Sequence, residues 1–82
     1  MSSKNTGSIM LSTILSAAKR TGNAREAVGI EVLAAAADVS LKDAYSRLYW
    51  LEAREGKLVS TGKGAEKLYR LAAKTFKALT EV

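Results

Sequence analysis

The chain contains neither cysteine nor histidine. Without cysteine it can form no disulfide and no thiolate metal centre. Without histidine it lacks the commonest general base and the commonest zinc ligand, and nucleophile–histidine pairs are impossible. Long apolar runs are missing too. No stretch reaches the ~20 residues that cross a bilayer, and the opening MSSKNTGS has neither the charged start nor the apolar stretch of a signal peptide. These absences predict a cytoplasmic protein with no membrane segment, no metal and no cofactor. The carboxylates are scattered, and none pairs with a base or with a glycine-rich phosphate loop, so enzyme chemistry finds no support. There are no internal repeats and no low-complexity segment.

What is present is basic and small. Eighty-two residues make one domain with a modest core. Thirteen lysines and arginines against eight acids give a net charge of +5, with a pI near 9.8. The charge is uneven. Residues 1–40 hold four cations against three anions, a net of +1, while residues 41–82 hold nine against five, a net of +4. Such an excess suits a polyanionic partner.

The second half opens on the stretch around which the chain is organised, Asp38 to Val59. Ser40 can cap a helix by accepting from an amide of its first turn, and Asp43 can answer back to the amide of Ser40. Ala44, Leu48 and Leu51 then fall at i, i+4 and i+7, one buried stripe. Gly56 can close the helix in a left-handed conformation. The opposite stripe carries Lys42, Tyr45, Ser46 and Tyr49, an unusual face for a helix that only meets water.

Residues 1–7 read as a frayed tail and residues 8–82 as the domain. Ser8 can cap a first helix running to Thr21, with Met10, Leu11, Ile14, Leu15 and Ala18 inward. Gly22 and Asn23 stop it, and a short extended piece fits around Ala27–Val28. A second helix spans Ile30 to Ala37, and the three residues Asp38–Ser40 allow only a sharp turn into the organising helix, Leu41 to Glu55. Lys57 to Thr61 alternates as a strand should, and Gly62-Lys63-Gly64 is a turn. Glu66 to Leu71 reads as the returning strand, followed by a helix from Ala72 to Glu81. Leu68, Ala72, Phe76 and Leu79 also recur at helical spacing, so 66–71 fits either element.

Helix, connector, helix, sharp turn, helix, hairpin, helix is the order of a winged helix-turn-helix domain, mainly α with a small β-hairpin wing. The residues Val39-Ser40, Ala44, Leu48, Leu51-Glu52 and Gly56-Lys57-Leu58-Val59 resemble the signature of winged-helix transcriptional regulators. Tyr69-Arg70-Leu71 before a short helix resembles the end of the wing in the MarR- and ArsR-like branches. The resemblance covers Ile9 to Leu79. It departs from the pattern at Asp38, where the family has glycine, and in the short Gly62-Lys63-Gly64 wing. ArsR-like metal sensing does not carry over, because its thiolate and imidazole ligands are absent.

The resemblance implies a sequence-specific, homodimeric binder of double-stranded DNA with the helix 41–55 in the major groove. Lys42, Tyr45, Ser46 and Tyr49 would face the DNA, with Ser40 and Leu41 near its backbone. Lys42 suits a phosphate or a guanine edge, Ser46 either type of edge, and the tyrosines a phosphate or a thymine methyl. Arg47 and Arg54 would cover the ring of Trp50 or reach flanking phosphates, Trp50 itself packing at the core boundary against the last helix. Lys63 would touch backbone from the wing tip. Ile14 and Leu15 with Phe76, Leu79 and Val82 would form the dimer interface. Two rival readings are a DNA-coating nucleoid or plasmid-partition protein and a winged-helix module that binds another protein.

Overall fold

A computed structural model describes residues 5–81. Seven elements follow in the order α1 (Thr6–Thr21), β1 (Val28–Gly29), α2 (Ile30–Ala37), α3 (Leu41–Tyr49), β2 (Leu58–Thr61), β3 (Leu68–Leu71) and α4 (Ala73–Thr80). The protein is thus mainly helical, with one small antiparallel sheet in the strand order β1-β3-β2. Residues 1–4 of the expected tail and Val82 of the expected interface lie outside the described residues. No described helix is long and apolar enough to cross a membrane.

α1 starts at Thr6 rather than Ser8, and Thr6 is buried. The reason lies far along the chain. A Cβ placed on Gly7 would sit 3.6 Å from Cδ of Arg47 and 3.7 Å from Cδ2 of Leu51, so the first turn of α1 rests against the end of α3. From there Met10, Ile14 and Ala17 point into the core beside Leu33, Ala44, Leu48, Tyr69 and Leu71. Ile14 is 0% exposed. It belongs to the protein's own core and has no surface for a second copy, which corrects its expected place in a dimer interface.

α2 and α3 meet through Asp38, Val39 and Ser40. Asp38 adopts the left-handed conformation (φ 58, ψ 49), and the N–H groups of Asp38 and Val39 donate to the carbonyls of Ala35 and Ala34 at 3.2 and 3.0 Å. Those two bonds close the helix in the manner usually given to glycine; an aspartate there carries a backbone strain that its short side chain keeps small. Ser40 Oγ then accepts from the Asp43 N–H at 3.1 Å and starts α3. Only this half of the expected capping box is formed, since the Asp43 carboxylate makes no return bond among the described residues.

α3 continues beyond Tyr49 as a wider π-helical turn, Trp50–Arg54, in which the Glu55 N–H donates to the Trp50 carbonyl at 3.2 Å. Gly56 (φ 64) ends it, and the Lys57 N–H reaches back to the Leu51 carbonyl at 2.9 Å. That reversal feeds β2, which pairs with β3 from Leu58↔Leu71 to Thr61↔Leu68. β1 adds Val28↔Tyr69 and Gly29↔Leu68 on the other side. The hairpin loop is longer than three residues. A 3₁₀ turn over Gly64–Glu66 fills it, so the returning strand begins at Leu68 and not at Glu66. Gly62 is required at its entry, because φ is +86 and a Cβ would lie 2.8 Å from the Glu66 carbonyl oxygen.

Candidate nucleic-acid interface

At about 100° per residue, Ala44, Leu48 and Leu51 fix the buried side of α3 and its extension. Lys42, Ser46 and Tyr49 occupy the opposite line, and all three are exposed. Leu41 (52% exposed), Tyr45 (50%) and Tyr49 (57%) are large side chains left in solvent on this one helix. Ser40 is also exposed, at the N-terminal edge of the same face. Of the eight residues expected to meet DNA, six therefore share one open surface. Arg47 and Lys63 are placed differently.

The flank of α3 nearer the hairpin is tied down. Oε2 of Glu52 accepts from both the amide (3.2 Å) and the hydroxyl (2.7 Å) of Ser60 on β2. Ser60 pairs with Tyr69 in the sheet, and Tyr69 is buried. Burial above all, with the neighbouring Tyr45 and Glu52, pushes the Tyr69 hydroxyl above its usual pKa, so it stays protonated at neutral pH. Lys67 completes this flank. Its Nζ lies 5.7 Å from the ring centre of Tyr45 and 5.9 Å from that of Tyr69, so one cation joins α3 to β3.

The other flank, toward α1, is open. Thr6, Val39, Asp43, Ser46, Arg47 and Trp50 line a groove of about 640 Å³. Arg47 is half-buried, with its aliphatic stem against Gly7. The Trp50 ring is 43% exposed and carries the Arg54 guanidinium at 4.3 Å. Trp50 thus lies at the groove beside the start of α1, not in a boundary against the last helix. The arginine over its ring is Arg54, as one of the two arginines was expected to be.

Lys63 stands exposed at the entrance to the 3₁₀ turn, its amine free of hydrogen bonds and ion pairs among the described residues. An ion pair joins Lys57 and Glu55 at 3.1 Å before β2, and Lys42, Lys63 and Lys67 have no carboxylate at that range among the described residues. On the surface first assigned to dimerisation, Leu15 and Phe76 are half-buried against the core, and Leu79 remains exposed. No group of three or more acidic residues among the described residues is arranged to hold a metal ion.

Two residues of the site escaped the sequence reading. Glu52 enters the sequence pattern only within the Leu51-Glu52 signature, and Lys67 only as one of the nine cations of residues 41–82. Strand alternation held a signal for Lys67, because residues 67, 69 and 71 fall on one side of an extended segment and Tyr69 and Leu71 are both buried. Compared with known proteins, the chain matches no family model, no curated protein and no solved structure.

Proposed function

We propose that this chain is a winged helix-turn-helix protein that binds double-stranded DNA in sequence-specific fashion and serves as a small cytoplasmic transcriptional regulator. α3 lies in the major groove and the β2–β3 hairpin acts as the wing. The observation that carries this reading is the outer face of α3. A lysine, a serine and two tyrosines stand together in solvent on the helix that follows a three-residue turn. A plain solvated helix favours glutamate and lysine there, and exposed rings on one face mark a contact surface. The +4 charge of the second half, with Lys42, Lys63 and Lys67 in no ion pair among the described residues, supplies the attraction to phosphate.

In this reading Lys42, Ser46 and Tyr49 meet base edges, Ser40 and Leu41 meet the backbone where α3 starts, and Lys63 meets it from the hairpin. Arg47, with its stem against α1, extends its guanidinium toward the phosphates beside the groove. Titration of the protein against a duplex selected from a random pool and against random duplex, at two salt concentrations, tests the proposal. Tighter binding of the selected duplex, weakened by salt, supports it. Equal binding of both duplexes favours the coating protein.

Absence of binding favours the interaction module, for which the exposed Leu41, Tyr49 and Trp50 are the specific observation. A two-fold dimer through α1 and α4 would rest on Leu15, Phe76 and Leu79, since Ile14 is enclosed in the core. Sedimentation measures that directly, and a dimer on this surface requires Leu79→Glu to give folded monomers.

A further inference from the structure

We infer that Lys67 and Tyr45 form a phosphate-gripping pair at the junction of α3 and the hairpin. The inference rests on the DNA-binding reading above and deepens it, because it settles Tyr45 on the phosphate backbone rather than on a thymine methyl.

Three observations lead there. The Lys67 ammonium is near two rings, 5.7 and 5.9 Å from their centres, and has no carboxylate within ion-pair distance among the described residues. It is therefore a cation drawn toward the two rings, with its three N–H donors unassigned among the described residues. Glu52, on this flank of the helix, already directs Oε2 to the amide and hydroxyl of Ser60. Tyr45 is 50% exposed and its hydroxyl, like the Lys67 amine, makes no hydrogen bond among the described residues. An ammonium and a phenolic O–H on the same flank, the amine 5.7 Å from the ring that carries the hydroxyl, offer donors and positive charge, which is what a phosphate group takes.

The dimensions of the duplex decide which part of the DNA they meet. An α-helix with its side chains is ~10–12 Å across, and the major groove is ~12 Å wide. A helix seated in that groove fills it. Only the line farthest from the protein, Lys42, Ser46 and Tyr49, then points at base edges. Groups on the flank stand at the groove wall, where the phosphates run. Tyr45 and Lys67 are on the flank, Tyr45 from α3 and Lys67 from the hairpin, where it directly precedes β3. Contact with the two rings also limits the lysine before DNA arrives, so less freedom is lost when it binds.

The test is the salt dependence of affinity for the selected and the random duplex, measured on the parent, Lys67→Gln, Lys67→Arg, Tyr45→Phe and Lys77→Gln. Each variant is first checked by circular dichroism for the parent's fold. Lys67→Gln is expected to weaken both duplexes by the same factor and to lower the slope of log affinity against log salt by about 0.9, one phosphate contact. Lys67→Arg keeps the slope, and Lys77→Gln, on exposed α4, leaves it alone. Tyr45→Phe weakens both duplexes equally with no change in slope, since its hydroxyl is neutral. A Lys67→Gln variant with the parent's slope overturns the pair, as does a Tyr45→Phe variant that changes the preferred sequence. A slope lowered equally by Lys77→Gln also overturns it, because the effect is then one of net charge. If the parent binds and Lys67→Gln matches it, the pair alone is lost; a parent that binds neither duplex removes the DNA reading as well.

Discussion

The two flanks of α3 contain the same kinds of group, aromatic rings, cations and one acid each, yet they are held in different ways. On the hairpin side, Glu52 joins Ser60 by two hydrogen bonds across eight positions of sequence, and Lys67 lies against Tyr45 and Tyr69. On the α1 side, Asp43, Arg47 and Trp50 border an open groove, and the ring contact there is the local one between Arg54 and Trp50. The first flank fixes the angle between helix and hairpin. The second leaves polar groups and an indole facing solvent. A surface that must match a duplex needs both, a rigid edge to set register and an accessible edge to complete contacts.

The largest effect should come from beneath both flanks. Leu48 is completely enclosed and touches the core shared by the helices. Leu48→Ala is expected to cost about 2–5 kcal/mol, a large share of the stability of so small a domain. Thermal melting within a few degrees of the parent would contradict this placement of α3.

Next comes the hairpin flank itself. Glu52→Ala leaves the Ser60 amide and hydroxyl without their acceptor, at a cost of about 1–3 kcal/mol. Ser60→Ala, which keeps the amide bond and removes only the hydroxyl one, should cost less than half as much. Urea melts of the two variants distinguish the contributions.

The open flank should matter less to folding. Trp50→Ala removes a half-exposed ring and one cation–π contact, and is expected to lower stability by under about 1 kcal/mol. If Trp50→Ala proves more damaging than Glu52→Ala, the contrast between the flanks is inverted.

The smallest effect is one of pH. The Tyr69 hydroxyl has a higher pKa folded than unfolded, so the folded state holds its proton longer. Its contribution is complete below about pH 10, the unfolded value, and is lost as pH rises through the folded value. Tyr69→Phe should therefore flatten the decline in melting temperature above pH 10. An alkaline decline identical in the two proteins would remove Tyr69 from the account.

Much of the helical framework was legible because it depends on neighbours in sequence. Ile30–Ala37 followed from its apolar spacing, and Ser40 marked the start of α3 through a bond spanning three residues. The three residues Asp38–Ser40 were too few for anything but a sharp turn, and Asp38 stands left-handed where the family that the chain resembles has glycine. The features that were not legible depend on distant partners. Gly7 looks like tail until Leu51 and Arg47 lie beside it. Ile14 carries the same apolar signal whether it faces its own core or a second copy, and only the packing of α1 decides. Trp50 likewise carries a ring suited to either core or surface. The 3₁₀ turn at Gly64–Glu66 hides behind alternation that suits a strand equally well.

The central claim is that the outer line of α3 reads DNA sequence while the hairpin only grips, and its most direct test is the ratio of selected-duplex to random-duplex affinity in two variants. Ser46→Ala/Tyr49→Ala should narrow that ratio by about 1–3 kcal/mol for each lost base contact, with the salt slope nearly that of the parent. Lys63→Ala should leave the ratio unchanged and lower the slope by about one. The reverse result, a new sequence preference in Lys63→Ala and a parent-like ratio in the α3 variant, would place the reading surface on the hairpin and contradict the account.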